Sequence, residues 1–224
     1  AQDSKVFDQM TIQSKILNME RKYAIYLPPG YETSQRSYPV LYLLHGAGDD
    51  QTGWVQFGEV QHIADKAILE GKSTAMIIVM PDANTGKRGY FNDVNNEWRY
   101  EDFFFEELMA EVEKKYRIKS EKKYRAIAGL SMGGGGTFFY AMHRPDLFSS
   151  ACPLSASLRN TTFEEFNQGL QTNKTGVKNT DTLQGYYDRH SALRQIELNE
   201  LGAIKSVKWY FDCGDDDFLY EGNS

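Results

Sequence analysis

The sequence predicts an α/β fold, a mostly parallel sheet with an N-terminal antiparallel hairpin and helices on both faces. Three observations carry this. Two alternating stretches open the chain; continuous apolar runs follow at intervals; helical patterns fill the spaces between those runs.

The elements follow in order. Asp8–Ser14 and Lys22–Pro28 alternate as half-buried strands do, and a polar connection with Asn18 and Glu20 joins them, so they pair as a hairpin. Tyr38–Gly46 is apolar throughout, as in a strand covered on both faces. Val60, Ile63, Ala64, Ala67 and Ile68 have helical spacing that stops at Gly71. Thr74–Pro81 is a second buried strand. Phe104, Leu108, Val112 and Tyr116 recur every four residues and mark a second helix. Tyr124–Leu130 is a third buried strand, and the helix after it is limited by Pro145. Ser149–Ala156 and Val207–Gly214 supply two more strands. Residues 157–189 break the rhythm: polar and rich in Thr, Asn and Gln, they read as a cap-like insertion or a surface excursion.

With 224 residues, 41% of them hydrophobic and 13% aromatic, the chain has material for one domain, 1–224, with a full core. A net charge of −6 excludes nucleic acid as a partner and favours a neutral or weakly charged small substrate. No apolar run approaches the roughly 20 residues of a membrane helix, so no membrane association is expected. The opening residues from Ala1 resemble what signal-peptide cleavage leaves, which predicts a secreted or periplasmic protein. Cys152 and Cys213 lie in apolar runs and are expected to be buried free thiols.

Gly129-Leu130-Ser131-Met132-Gly133 matches G-x-S-x-G between a predicted strand and a predicted helix. A serine on so sharp a turn stands clear of the sheet, and the flanking glycines allow backbones to close around it. A phosphate loop would need G-x-x-x-x-G-K-[ST], and no lysine follows Gly136. Ser131 is therefore the candidate nucleophile. His45-Gly46-Ala47-Gly48 ends the first buried strand in an H-G-x-G loop. The amides of Ala47 and Met132 are the candidate oxyanion donors. His45 precedes the serine, against the chain order of serine, acid and histidine, and reads as a loop-holding residue. The acid is one of Asp215, Asp216 and Asp217, which follow the last apolar strand; their spacing excludes an EF-hand. His62 and His143 lie in helices, His190 borders the insertion, and no histidine follows Asp217.

The stretches YPVLYLLHGAGDDQTGW, IIVMPDANTG, YEDFFFEELMAEVEKKYRI, AIAGLSMGGGGTFFYAMHRPDLF and FDCGDDDF together resemble the carbohydrate-esterase branch of the α/β-hydrolases, which holds feruloyl and acetylxylan esterases and esterase D-like enzymes. The resemblance implies an α/β-hydrolase fold with Ser131 as nucleophile, Asp217 as acid (Asp215 second), and no metal or organic cofactor. It implies a catalytic histidine in a Gly-His loop some tens of residues beyond Ser224. The 224 residues are thus expected to be C-terminally incomplete and unable to turn over substrate alone. Trp54 resembles a residue near the acyl pocket. Arg88–Trp98 resembles a loop walling the cleft, with Tyr90 and Trp98 as substrate contacts or as buried anchors. The activity implied is hydrolysis of feruloyl or acetyl esters on plant cell-wall polysaccharide through an acyl-enzyme. The alternatives are another ester, such as a siderophore lactone or S-formylglutathione, or a non-catalytic binding module.

Overall fold

The computed structural model describes residues 3–87, 89–158, 161–173 and 175–224. The leader-like start at Ala1 and the first residue of the Arg88–Trp98 loop lie outside the described residues. Seven strands form one sheet: β1 (Lys5–Ser14), β2 (Met19–Leu27), β3 (Val40–Leu44), β4 (Ile77–Pro81), β5 (Arg125–Leu130), β6 (Ser150–Leu154) and β7 (Lys208–Trp209). Their spatial order is β1-β2-β4-β3-β5-β6-β7. The hairpin β1–β2 is antiparallel and pairs with β4 in the same sense, and every pairing from β4 through β7 is parallel. The connection between the first two strands turns at Asn18, whose φ is 51°; its short polar side chain tolerates the left-handed region.

The apolar runs are continuous because the sheet is covered twice. Tyr23, Ile25, Tyr42, Leu44 and Val79 face one core, with Phe104, Leu108, Val112 and Tyr140 packed on them. Ala24, Tyr26, Leu43, Ile78 and Met80 face the other, beneath Val60, Ala64 and Ile68 of helix α1 (Val60–Leu69). Alternate residues of one strand thus enter opposite cores, the period of two that a pleated strand imposes. Helix α2 begins as Tyr100–Asp102, passes through a π-helical segment Phe103–Leu108 and continues as Met109–Lys115. Helix α3 (Met132–His143) is buried from Gly133 through Met142, so its apolar residues run all the way round rather than in a stripe.

The described residues of the 157–189 segment include two helices. Helix α4 (Phe163–Thr172) starts with a complete capping box between Thr162 and Glu165. Helix α5 (Leu183–His190) follows, then α6 (Ala192–Leu198) and α7 (Leu201–Lys205). Leu170 and Leu183 bury Val94 between them with Phe166 and Tyr186, so this segment shares a small core with the 89–98 loop. Asn95 donates to the Gly176 carbonyl (2.6 Å), and Tyr186 to that of Asn92 (2.9 Å).

Two expectations are corrected. The last strand is Lys208–Trp209 alone, extended by a single bridge between Leu154 and Asp212, not Val207–Gly214. Among the described residues it pairs with β6 alone, over two residues, and Tyr210 and Phe211 are 60% and 45% exposed. Both cysteines are free, as expected, but half-buried. Burial pushes the Cys152 thiol up, with the Asp212 carboxylate adding to the effect.

Candidate active site

Ser131 joins the end of β5 to the start of α3 with φ 56° and ψ −112°, a backbone conformation that L-residues avoid. Three hydrogen bonds hold it there. Its amide donates to the Leu154 carbonyl (2.9 Å), and its own carbonyl accepts from the amides of Gly135 (3.0 Å) and Ser157 (2.9 Å). The two flanking glycines are steric necessities. A Cβ on Gly129 would lie 2.3 Å from the Gly133 carbonyl oxygen, and one on Gly133 would lie 2.4 Å from that of Leu44. The turn is therefore pressed against the end of β3, and the loop after β3 is brought to the serine. A Cβ on Gly46 would sit 3.7 Å from Cβ of Ser131.

That loop is fixed from behind. The Ala83 amide donates to Nε2 of His45 (2.9 Å), which leaves the ring proton on Nδ1, where it donates to the Gly46 carbonyl (2.8 Å). The Asp49 amide donates to the same carbonyl (3.3 Å). With the Gly46 carbonyl turned inward and the peptide trans, the Ala47 N–H points the other way. Among the described residues, the amides of Ala47 and Met132 donate to no other group of the protein. Met132 is the first residue of α3, where backbone N–H groups lack intrahelical partners and the helix dipole is positive.

Tyr90 is fully buried and donates to the His45 carbonyl (2.8 Å). It is an anchor under the loop, and its burial removes it from the cleft wall that the resemblance allowed. Arg21 donates to both the carboxylate and the carbonyl of Asp82 (2.7 and 2.9 Å), and Tyr100 donates to that carbonyl (2.9 Å). Asp82 is thereby fixed next to Ala83, the residue that holds His45. Trp54 donates to the Leu44 carbonyl (3.0 Å), which keeps its ring beside the end of β3. Trp98 is half-buried against the larger core. The 89–98 loop packs on the elbow and its helix: a Cβ on Gly89, whose φ is 61°, would lie 2.8 Å from Sδ of Met132, and one on Gly136 would lie 3.1 Å from the Tyr90 ring.

Asp217 accepts from the Leu219 amide (2.9 Å), and with the Ser155 hydroxyl these donors hold its carboxyl below its ordinary value. Ser155 follows β6, the strand next to β5, so Asp217 stands at the same edge of the sheet as Ser131. Asp215 and Asp216 are exposed. Three of the four histidines are engaged elsewhere, and the fourth is exposed. His45 is locked as described, and His62 is exposed on α1. His143 closes α3, about 18 Å along the helix from Ser131 at 1.5 Å per residue. Its ring nitrogens meet Glu101 (2.6 Å) and the Arg189 carbonyl (2.8 Å). His190 stacks on Tyr186 with ring centroids 4.1 Å apart. This Glu101–His143–Arg189 link, which ties the 157–189 segment to the body of the domain, had no sequence signal, because its members come from three separate segments.

A hydroxyl on a strained turn beside two unclaimed amides is the arrangement that acyl transfer uses. Residues 14–217 match the Esterase family, and the chain belongs to it. The larger frame is the α/β-hydrolase fold. Among solved structures, a ferulic acid esterase is 34% identical with a TM-score of 0.82, covering 99% of this chain and 83% of that one. An S-formylglutathione hydrolase from Staphylococcus aureus shares the fold at 20% identity, with a TM-score of 0.73 and coverage of 98% and 83%. An endo-1,4-beta-xylanase/feruloyl esterase of Xylanibacter ruminicola is 36% identical over 146 residues, 62% of this chain and 20% of that protein. An esterase of Mycobacterium tuberculosis is 38% identical over 141 residues, 60% of this chain and 29% of that protein. The chain thus spans less than a third of the length of these two relatives. Among the described residues, no helix is long and apolar enough to cross a membrane.

Proposed function

We propose that this chain is the catalytic body of a secreted or periplasmic serine carboxylesterase acting on feruloyl or acetyl esters of plant cell-wall polysaccharide. The observation that carries the reading is the Ser131 turn, held at φ 56° against the loop of Ala47 in a chain of the Esterase family. Its similarity to a ferulic acid esterase and to a xylanase/feruloyl esterase supports the substrate class.

In the mechanism, Ser131 Oγ attacks the ester carbonyl and the amides of Ala47 and Met132 receive the developing oxyanion. The acyl-enzyme forms as the alcohol leaves, and water releases the acid. Asp217 orients the imidazole that takes the serine proton. None of the four histidines above is assigned that role: His45, His143 and His190 are engaged elsewhere, and His62 is exposed on α1. Trp54 and Trp98 are the aromatic candidates for the substrate side of the cleft. The substrate is a small-molecule or polysaccharide ester, and the proposed chemistry needs no metal or organic cofactor.

The 224-residue chain alone is expected to leave methyl ferulate and p-nitrophenyl acetate intact. Extended along its gene by about 50 residues to include a Gly-His loop, as the chain order of the triad requires, it should hydrolyse both. The Ser131→Ala form of the extended protein should lose that activity. Near-normal turnover by the alanine variant would sink the assignment. An extended protein that binds feruloylated xylan without cleaving it would favour the second reading, a non-catalytic module, for which the engagement of His45, His143 and His190 away from Ser131 speaks. Preference for S-formylglutathione or a siderophore lactone over methyl ferulate would move the substrate but keep the chemistry.

A further inference from the structure

The end of the sheet opposite Ser131 carries a second concavity. Where β3 and β5 begin and the chain enters β4, a cavity of 720 Å³ opens between Tyr38 and Tyr124. At about 3.3 Å per residue, β5 puts roughly 20 Å between this opening and the Ser131 turn. The floor is apolar: Pro39, Val40, Leu41, Ala75, Met76 and Ala126.

The rim is cationic. Arg36, Lys119 and Lys123 line the cavity, and among the described residues no carboxylate does. The guanidinium of Arg36 lies 4.7 Å from the Tyr38 ring centroid. The ammonium groups of Lys119 and Lys123 lie 4.4 and 4.8 Å from the ring centroid of Tyr124. Two cationic side chains thus gather at one ring of the rim, and the Tyr124 side chain and the Glu121 charge raise the Lys123 ammonium above its ordinary value. The nearest counter-charge is weak: Lys123 meets Glu121 at 3.6 Å on the surface. Arg36 and Lys119 have no ion-pair partner among the described residues. Tyr38 senses the same field. Burial pushes its phenol up, yet hydrogen bonds from Ser34 and Arg36 and the charges of Arg36 and Arg117 bring it below its ordinary value. An adjoining concavity adds Lys122, Lys205 and Lys208 against, among the described residues, the single carboxylate of Glu121, so this end of the sheet carries an excess of positive charge on a chain whose net charge is −6.

We propose that this cavity is a second ligand site, distinct from the Ser131 cleft, for a small monocarboxylate with an apolar body. The apolar body covers Leu41, Ala75 and Met76, and the carboxylate lies at the rim that Arg36, Lys119 and Lys123 form. An apolar floor alone would accept neutral molecules, and a cationic rim alone would accept inorganic anions. Their combination selects a molecule with both features. The site does not depend on the esterase reading, since it shares no residue with the elbow.

The test titrates the 15N-labelled chain with trans-cinnamate and, in parallel, with cinnamyl alcohol, which has the same body without the charge. Cinnamate should produce saturable amide shifts at Ala75, Met76 and Ala126, and the alcohol should bind at least about tenfold more weakly, as loss of one charge-assisted contact would give. A Lys119→Gln/Lys123→Gln variant should lose about tenfold in cinnamate affinity with an otherwise superimposable spectrum. Shifts confined to Ala47 and Met132 would place binding in the Ser131 cleft and overturn the proposal. So would equal binding of acid and alcohol, or no saturation at millimolar concentration.

Discussion

The glycines of the elbow and those of the segment after it live in opposite surroundings. Cβ atoms added at Gly129, Gly133, Gly134 and Gly135 would each meet a backbone carbonyl oxygen at 2.3 to 2.8 Å. At Gly169, Gly176, Gly185 and Gly202 an added Cβ would meet nothing within 4 Å. The first group is glycine because β3, β5, β6 and α3 converge on Ser131 at backbone-to-backbone distance. The second group lies on α4, α5, α7 and a connection, where only local preference governs the residue. The same division runs through the side chains. Beside the elbow, Tyr90, His45 and Tyr140 are buried with hydrogen-bonded polar groups, whereas Leu193, Ile196, Leu198 and Leu201 of α6 and α7 are exposed. A nucleophile has to be placed to within a fraction of an ångström, so it is built where the backbone has no room to move. The segment that follows tolerates far looser packing.

The sharpest break of this contrast is Gly133→Ala. Its Cβ would lie 2.4 Å from the Leu44 oxygen and 2.7 Å from that of His45, and neither carbonyl can retreat without moving β3. Stability should fall by about 3 kcal/mol, the upper range of overpacking in a rigid core, read as a lower urea midpoint at unchanged slope. A loss under about 1 kcal/mol would mean that the elbow yields, and the proposed rigidity would go with it.

Ser131→Gly tests the strain itself. A residue at φ 56°, ψ −112° costs on the order of 1–3 kcal/mol when it carries a Cβ. Glycine removes that cost and adds about 0.5–1 kcal/mol of backbone entropy to the unfolded chain. Ser131→Gly should therefore be more stable than Ser131→Ala by about 1 kcal/mol, since the alanine keeps the strain and differs only in the hydroxyl. Equal midpoints for the two variants would show that the turn is unstrained.

The elbow was also the part most legible in the sequence, and for the same reason. Buried strands covered on both faces must be apolar in every residue, so β3, β4 and β5 announced themselves. Glycines needed for close approach are hard to replace, so G-x-S-x-G and H-G-x-G marked the places where backbones meet. Where one residue can serve two purposes, the pattern fell silent. An aromatic residue in a loop reads the same whether it walls a cleft or anchors it, and only the fold put Tyr90 beneath His45. The apolar run Val207–Gly214 looked like the earlier strands, but only Lys208–Trp209 pairs with β6, and Tyr210 and Phe211 beyond it are exposed. The link from His143 to Glu101 and Arg189 spans residues 42 and 46 positions apart, a distance over which spacing carries no information.

The gentlest test works on the loose side. Gly169 sits inside α4, with its carbonyl accepting from the Asn173 amide (3.0 Å) and open space where a Cβ would point. Alanine at that position removes the entropic cost that glycine carries in a helix interior and meets no neighbour. Gly169→Ala should therefore gain about 0.5–1 kcal/mol. In a domain of this size that is a rise in Tm of roughly 1–4 °C. The same exchange thus has opposite signs at Gly133 and Gly169, and the difference measures how tightly each backbone is enclosed. Calorimetry of the two variants decides it. A fall in Tm for Gly169→Ala would show that α4 packs against something at that face and would erase the distinction between the two regions.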